Sequence, residues 1–164
     1  MRWFKITLAY DGRAYCGWQL QDGQPTVQQA IEEGLAEVTG QQVRVTASGR
    51  TDAGVHAIGQ VASVQLRHQI APDALLRAVN ASLPSDIRVV TVEVSPESFH
   101  ARFDATAKTY RYRLLHGAVV SPFDRRYGWH VGEPLDHERM VAAGRVLVGE
   151  HDFAAFQATG SSTH

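Results

Sequence analysis

Cysteine is nearly absent from this chain, with Cys16 the only one. A lone thiol forms no internal disulfide and builds no four-cysteine metal site, so a reducing cytoplasm is the simplest compartment. Long apolar runs are missing as well. None approaches the ~20 residues that a spanning helix needs, so no membrane association is expected. The amino terminus enters strand-like alternation at once and lacks the apolar core of a signal peptide. A charge excess is also lacking: the formal net charge is −1, which does not by itself mark a nucleic-acid binder. No glycine-rich phosphate loop joins a strand to a helix, which sets aside dinucleotide and P-loop sites. Neither a Ser-His-acid triad nor a pair of glycosidase carboxylates is apparent.

What is present is enough for a real core. The 164 residues are 44% apolar, sufficient for one sizeable domain or for a domain plus part of a second. Charge is unevenly placed. Phe99 to His130 holds six Lys or Arg against two Asp, a local +4. Such a stretch can track phosphates, or it can be a solvated strand edge.

Alternation of apolar residues predicts a first strand over Trp3–Tyr10, and Asp11-Gly12 a turn. Ala14–Gln19 reads as extended, and Gln21-Asp22-Gly23 as another turn. Thr26 is a helix cap with Gln29 as its reciprocal partner; Val27, Ala30, Ile31, Leu35 and Val38 then share one face, and Thr39-Gly40 ends the helix. Val43 to Ser48 is a short strand. Ala62, Val64 and Leu66 line a further one, Pro72 opens a second helix with Leu75, Leu76 and Val79 on its inner face, and Ile87–Val94 is again strand-like. The pattern is α/β (α+β): a mostly antiparallel sheet with helices packed on one side.

Lys108 to Leu115 alternates cleanly, with Tyr110 and Tyr112 on one face and Arg111 and Arg113 on the other. A stacking platform with flanking charge has this pattern, and so does an ordinary outer strand. Ser121-Pro122-Phe123-Asp124 begins a turn. A third helix opens near Asp136, with Leu135 and Met140 as a staple and Met140, Ala143 and Leu147 as its apolar face. Gln157–His164 has loop composition, so little chain follows for this helix to pack on. The organisation read from this is a catalytic α/β domain over 1–106, then a crossover strand and the start of an incomplete second α/β domain over 107–164.

Gly49-Arg50-Thr51-Asp52-Ala53-Gly54-Val55-His56-Ala57 is the most informative run. An acid two residues from an arginine, between glycines, builds a core poorly but exposes a carboxylate well. It reads either as a catalytic carboxylate, Asp52, with Arg50 as its partner for an anionic substrate, or as a surface turn with a local Arg-Asp ion pair.

Taken in order, Tyr10-Asp11-Gly12, Gly17-Trp18-Gln19, Thr26-Val27-Gln28, the Gly49–Ala57 run, Asn80–Ile87, Phe99–Phe103, Lys108–Tyr112 and Gly149–Phe153 closely resemble the TruA family of tRNA pseudouridine synthases. The resemblance implies the pseudouridine synthase fold and isomerisation of uridine to pseudouridine in the tRNA anticodon stem-loop, by a homodimer. It implies that Asp52 is the catalytic aspartate, that Arg50 governs access of the target nucleotide, and that Tyr110 is the active-site tyrosine that packs against the target base and assists late proton transfer, these three forming the catalytic set. An isomerisation calls for no redox cofactor, nucleotide or metal. Lys108, Arg111, Arg113, Arg125 and Arg126 are candidate phosphate contacts, with Arg102 held slightly apart because its segment also resembles a structural one. His56 is expected to support the Asp52 loop, the His151-Asp152 pair to belong to a scaffold, and Cys16 and Trp18 to pack rather than react.

Overall fold

A computed structural model describes residues 1–67 and 69–156 of the chain. Two compact units follow one another, Met1–Lys108 and a second from Thr109 onward.

The first unit is built around β1 (Arg2–Tyr10). Its even-numbered side chains, Phe4, Ile6, Leu8 and Tyr10, are buried, while the odd-numbered ones are half-buried, as a sheet covered on one face requires. Each such large apolar side chain contributes about 1.5–3 kcal/mol when taken fully out of water. The chain continues through α1 (Val27–Thr39), β2 (Thr46–Ala47), β3 (Ala57–Leu66), α2 (Pro72–Ser82) and β4 (Ile87–Ser95). The sheet runs β2-β3-β1-β4 with every neighbour antiparallel. Phe4 lies opposite Val64 on one side and Val94 on the other. Both ladders slip near the end of β1, between Leu8 and Tyr10 against β3 and between Thr7 and Leu8 against β4. Paired irregularities at one level add twist where the chain leaves the sheet for its loops.

Val27, Ile31 and Leu35 of α1 and Leu75 and Val79 of α2 close the core against this sheet. Trp18 joins them at 2% exposure, its ring centroid 6.2 Å from that of Tyr10. Asn80 ties α2 to β4 by bonding both the N–H and the C=O of Val89, each at 2.8 Å. Thr26 caps α1 by accepting from the Gln29 N–H at 3.3 Å. The reciprocal half of the capping box is not formed, because the Gln29 side chain turns along the helix to Glu33 instead.

Gln28 is a buried polar side chain that periodicity does not flag. Its Oε1 accepts from the Leu20 N–H at 3.0 Å and its Nε2 donates to the Val45 carbonyl at 3.2 Å and to Glu32 at 2.8 Å. Gln28→Leu removes the partner of the buried Val45 carbonyl and of the part-buried Leu20 N–H and is expected to cost about 1–3 kcal/mol. Urea unfolding measures this; a change under about 0.5 kcal/mol, the scatter of ordinary surface substitutions, would contradict it.

Three expectations need correction. Ala14–Gln19 is not extended: a 3-10 turn covers Gly12–Ala14, and the Cys16 and Trp18 amides bond to the Pro25 and Thr51 carbonyls rather than to a ladder. Lys108–Leu115 is not a strand over its length. Only Leu114–His116 (β5) pairs, in parallel with Trp129–Val131 (β6). Among the described residues, those before it find no partner strand, and alternation of side chains supplies none. The third helix, α3 (His137–Arg145), opens where expected, with Asp136 accepting from the Arg139 N–H at 2.9 Å. Leu147 falls beyond its end, and none of its residues is buried. The Ser121 turn is present, the Asp124 N–H reaching the Ser121 carbonyl at 3.0 Å. Gln157–His164 lies outside the described residues.

Candidate active site

The Gly49–Val55 connection joins β2 to β3 and lies against the Gly12–Trp18 segment. Two glycines make that approach possible. A Cβ on Gly12 would stand 2.0 Å from the Val55 carbonyl oxygen, and one on Gly17 would stand 2.5 Å from that of Thr51. Gly17 also has φ +90, a left-handed conformation costly to any residue with a Cβ. Backbone bonds cross the same seam: Trp18 N–H to Thr51 O at 2.9 Å and Gly54 N–H to Tyr15 O at 3.2 Å.

Side chains pin the loop elsewhere. Ser48 Oγ donates to Gln60 Oε1 at 2.9 Å, and Gln60 Nε2 donates to the Gly49 carbonyl. The Tyr10 hydroxyl, from the buried end of β1, shares a hydrogen bond of 2.9 Å with Thr51 Oγ1. Burial pushes the Tyr10 phenol up from its ordinary pKa, so this hydroxyl keeps its proton at neutral pH. At the far end His56 Nδ1 meets the Gly12 N–H at 3.3 Å and Asp11 Oδ1 at 3.1 Å, so His56 supports the loop. Beneath it Tyr15 donates to Asp86 at 2.7 Å; burial, and then the Asp86 carboxylate, push the Tyr15 phenol well up.

Against this clamped frame, Arg50 and Asp52 are exposed. Among the described residues neither side chain makes a hydrogen bond or ion pair, so the local Arg-Asp pair that would make this an ordinary turn is not formed. Thr51 is half-buried between the exposed Arg50 and Asp52. The arrangement holds out one unsatisfied carboxylate and one unsatisfied guanidinium from a fixed backbone. That suits nucleophilic or general-base work on an anionic substrate.

Lys108 is brought to the same loop: its Nζ and Cε lie 3.4 Å from the position a Gly49 Cβ would take. Arg102 sits with its guanidinium 6.0 Å from the Phe103 ring centroid, in a turn stabilised by the His100–Phe103 stack at 4.2 Å. The other predicted residues belong to the second unit. Tyr110 is 74% exposed there, Arg111, Arg125 and Arg126 are exposed, and Arg113 pairs with Asp124 at 2.7 Å. Cys16 is half-buried, its Sγ 3.2 Å from Gln24 Oε1. His151 Nε2 meets the Val148 carbonyl at 3.0 Å, while Asp152 accepts from the Ala154 N–H at 2.8 Å, a local turn rather than a His-Asp pair. Among the described residues no group of three or more His, Cys, Asp or Glu could hold a metal ion, and no helix is long and apolar enough to cross a membrane.

A family model described as tRNA pseudouridine synthase matches residues 6–104, which include the whole clamped loop. Similar relatives include proteins called tRNA pseudouridine synthase A from three bacteria. That of Limosilactobacillus fermentum is 49% identical over 165 residues, covering 98% of this chain and 64% of the relative. That of Solibacter usitatus is 47% identical, covering 97% and 66%, and that of Methylacidiphilum infernorum 45%, covering 93% and 60%. The chain thus spans 60% to 66% of the length of these curated relatives. The family match takes in more than half of the chain, with the glycine-flanked Asp52 loop inside it, and the chain belongs to the TruA family of tRNA pseudouridine synthases.

Proposed function

We propose that the protein isomerises uridine to pseudouridine in the anticodon stem-loop of tRNA, in the cytoplasm and as a homodimer, with Asp52 as the reacting carboxylate. The observation that carries this is an exposed, uncommitted Asp52 on a loop held on both flanks, in a chain of this family. The reaction breaks the N1-glycosidic bond, turns the base and rejoins it through C5. Ionised Asp52 either attacks the ribose anomeric carbon or takes the C2′ proton to give a glycal. Both routes place the carboxylate at the sugar and require the freed uracil to be retained.

Extruding the target nucleotide costs a few kcal/mol. Arg50 offers planar donors to phosphate or fills the space the base leaves. The exposed ring of Tyr110 can return about 1–3 kcal/mol by stacking on the base. Lys108, Arg102, Arg111, Arg113, Arg125 and Arg126 are assigned to the RNA backbone. The Arg113–Asp124 pair does not prevent this, since an exposed ion pair is worth only about 0–1 kcal/mol and exchanges readily for phosphate. Asp52 and Arg50 belong to the first unit; residues 107–164 are assigned to a crossover segment, which carries Tyr110, and to the start of a second domain of the same enzyme.

Incubation with unmodified tRNA followed by nucleoside mass analysis tests the reading. Pseudouridine in the anticodon stem-loop supports it, an abasic site would instead indicate an N-glycosidase, and binding with neither product a remodelling module. Lys108→Gln is expected to weaken tRNA binding regardless of sequence and to lower the slope of log K against log salt by about 0.7–0.9, one phosphate's worth. An unchanged slope removes Lys108 from the interface.

A further inference from the structure

We propose that Tyr10 is a positioning residue for Asp52, acting through Thr51 as one half of a side-chain clamp whose other half is Gln60. This rests on the synthase reading above.

The clamp holds the residues that flank the two functional side chains and leaves those two free. Thr51 lies between Arg50 and Asp52. Its hydroxyl is held by Tyr10 at 2.9 Å, and its carbonyl receives the Trp18 N–H at 2.9 Å. Bonds to the side chain and the carbonyl of one residue fix its peptide planes, and the next residue's Cα departs from that plane. On the other flank Gln60 receives Ser48 Oγ and donates to the Gly49 carbonyl. Tyr10 and Gln60 thus hold the loop at two separate points, each seated on one of the two central strands of the sheet. Tyr10 is 4% exposed and lies opposite Ala57, so its ring has no room to swing away.

The hydroxyl is also too buried to meet RNA itself. Its function is geometric: a carboxylate that must meet a sugar carbon or its proton at near-contact distance loses rate steeply with misplacement of about 1 Å. A clamp that costs nothing at the exposed face keeps Arg50 and Asp52 unpaired for substrate.

Tyr10→Phe keeps the ring and removes the bond. It is expected to lower the single-turnover rate of pseudouridine formation about tenfold or more, with the tRNA Kd within twofold of wild type and the thermal transition nearly unmoved. Thr51→Val should lose a similar factor, and the double variant no more than either alone, because both delete one interaction. Thr51→Ser, which retains a hydroxyl, should recover most of the rate. Amide exchange at residues 51–55 should quicken in Tyr10→Phe while that of β1 and β3 stays slow. Unchanged rates, additive losses, or an effect confined to Kd would overturn the inference. If wild-type protein makes no pseudouridine, the synthase reading fails instead; if wild type turns over and Tyr10→Phe equals it, only the clamp fails.

Discussion

Asp52→Asn is expected to reduce pseudouridine formation by at least about 10³-fold while leaving the folding transition where it was. The two halves of that expectation come from different observations. The carboxylate is exposed and, among the described residues, makes no hydrogen bond or ion pair, so the fold loses nothing when it becomes an amide. A surface change of this kind moves stability by no more than about 0.5 kcal/mol. The amide keeps the size and the carbonyl oxygen but cannot carry the negative charge that either attack on the anomeric carbon or removal of the C2′ proton demands. Loss of turnover without loss of stability is the signature of a group that works on substrate. Circular dichroism melts and a tritium-release assay on tRNA, run on the same preparations, decide it. Turnover within tenfold of wild type would remove Asp52 from the chemistry, and a large drop in melting temperature would make it a structural residue.

Much of the first unit is legible in its residues because its elements bury one face. Phe4, Ile6 and Leu8 alternate, and Val27, Ile31 and Leu35 recur at helical spacing; both periods report burial directly. Lys108–Leu115 shows the limit of the same signal. Tyr110, Tyr112 and Leu114 alternate as well as β1 does, yet among the described residues nothing covers Tyr110 or Tyr112, the latter 87% exposed. Period two describes where side chains point and says nothing of whether a neighbouring strand exists to complete the ladder. Ala14–Gln19 fails for a related reason: its amides are satisfied by Pro25 and Thr51, contacts that no local pattern encodes.

The site divides along the same line. Asp52 and Arg50 stand out because charge between glycines is a poor core pattern, and the exposure that follows is a local property. Tyr10, Gln28 and Asn80 fall in segments that resemble the family, but no local pattern names their hydrogen-bond partners, and Gln60 does not stand out at all. Tyr10 reads as the last apolar residue of a strand, and nothing local reveals that its hydroxyl meets Thr51 forty-one residues away. Buried side-chain hydrogen bonds across such separations are set by the sheet register and are visible only once the register is known. The glycines are intermediate: Gly12 reads as a turn and Gly17 as part of an extended stretch, whereas the loop that presses on both emerges only in three dimensions.

That pressure makes Gly17→Ala the second large effect. At φ +90 an alanine pays about 1–2 kcal/mol of backbone strain before any contact is considered. Its Cβ would then stand 2.5 Å from Thr51 O and 3.1 Å from Asp52 C, both backbone atoms of the clamped loop, so no flexible side chain can give way. Either the Trp18–Thr51 bond breaks or the Asp52 loop is pushed outward, and crowding of this kind adds about 1–3 kcal/mol. A total near 3 kcal/mol lowers the melting temperature of a unit this size by about 10 °C or more, at about 4–8 °C per kcal/mol. Turnover should fall further than stability explains at temperatures where the variant is still folded, since the displaced residues carry Asp52. Gly59→Ala supplies the control. A Cβ there meets nothing within 4 Å and the backbone is outside the left-handed region, so its stability should stay within about 0.5 kcal/mol. Equal melting temperatures for Gly17→Ala and wild type would mean that the loop yields freely, and a loop that yields freely could not hold Asp52 to a sugar.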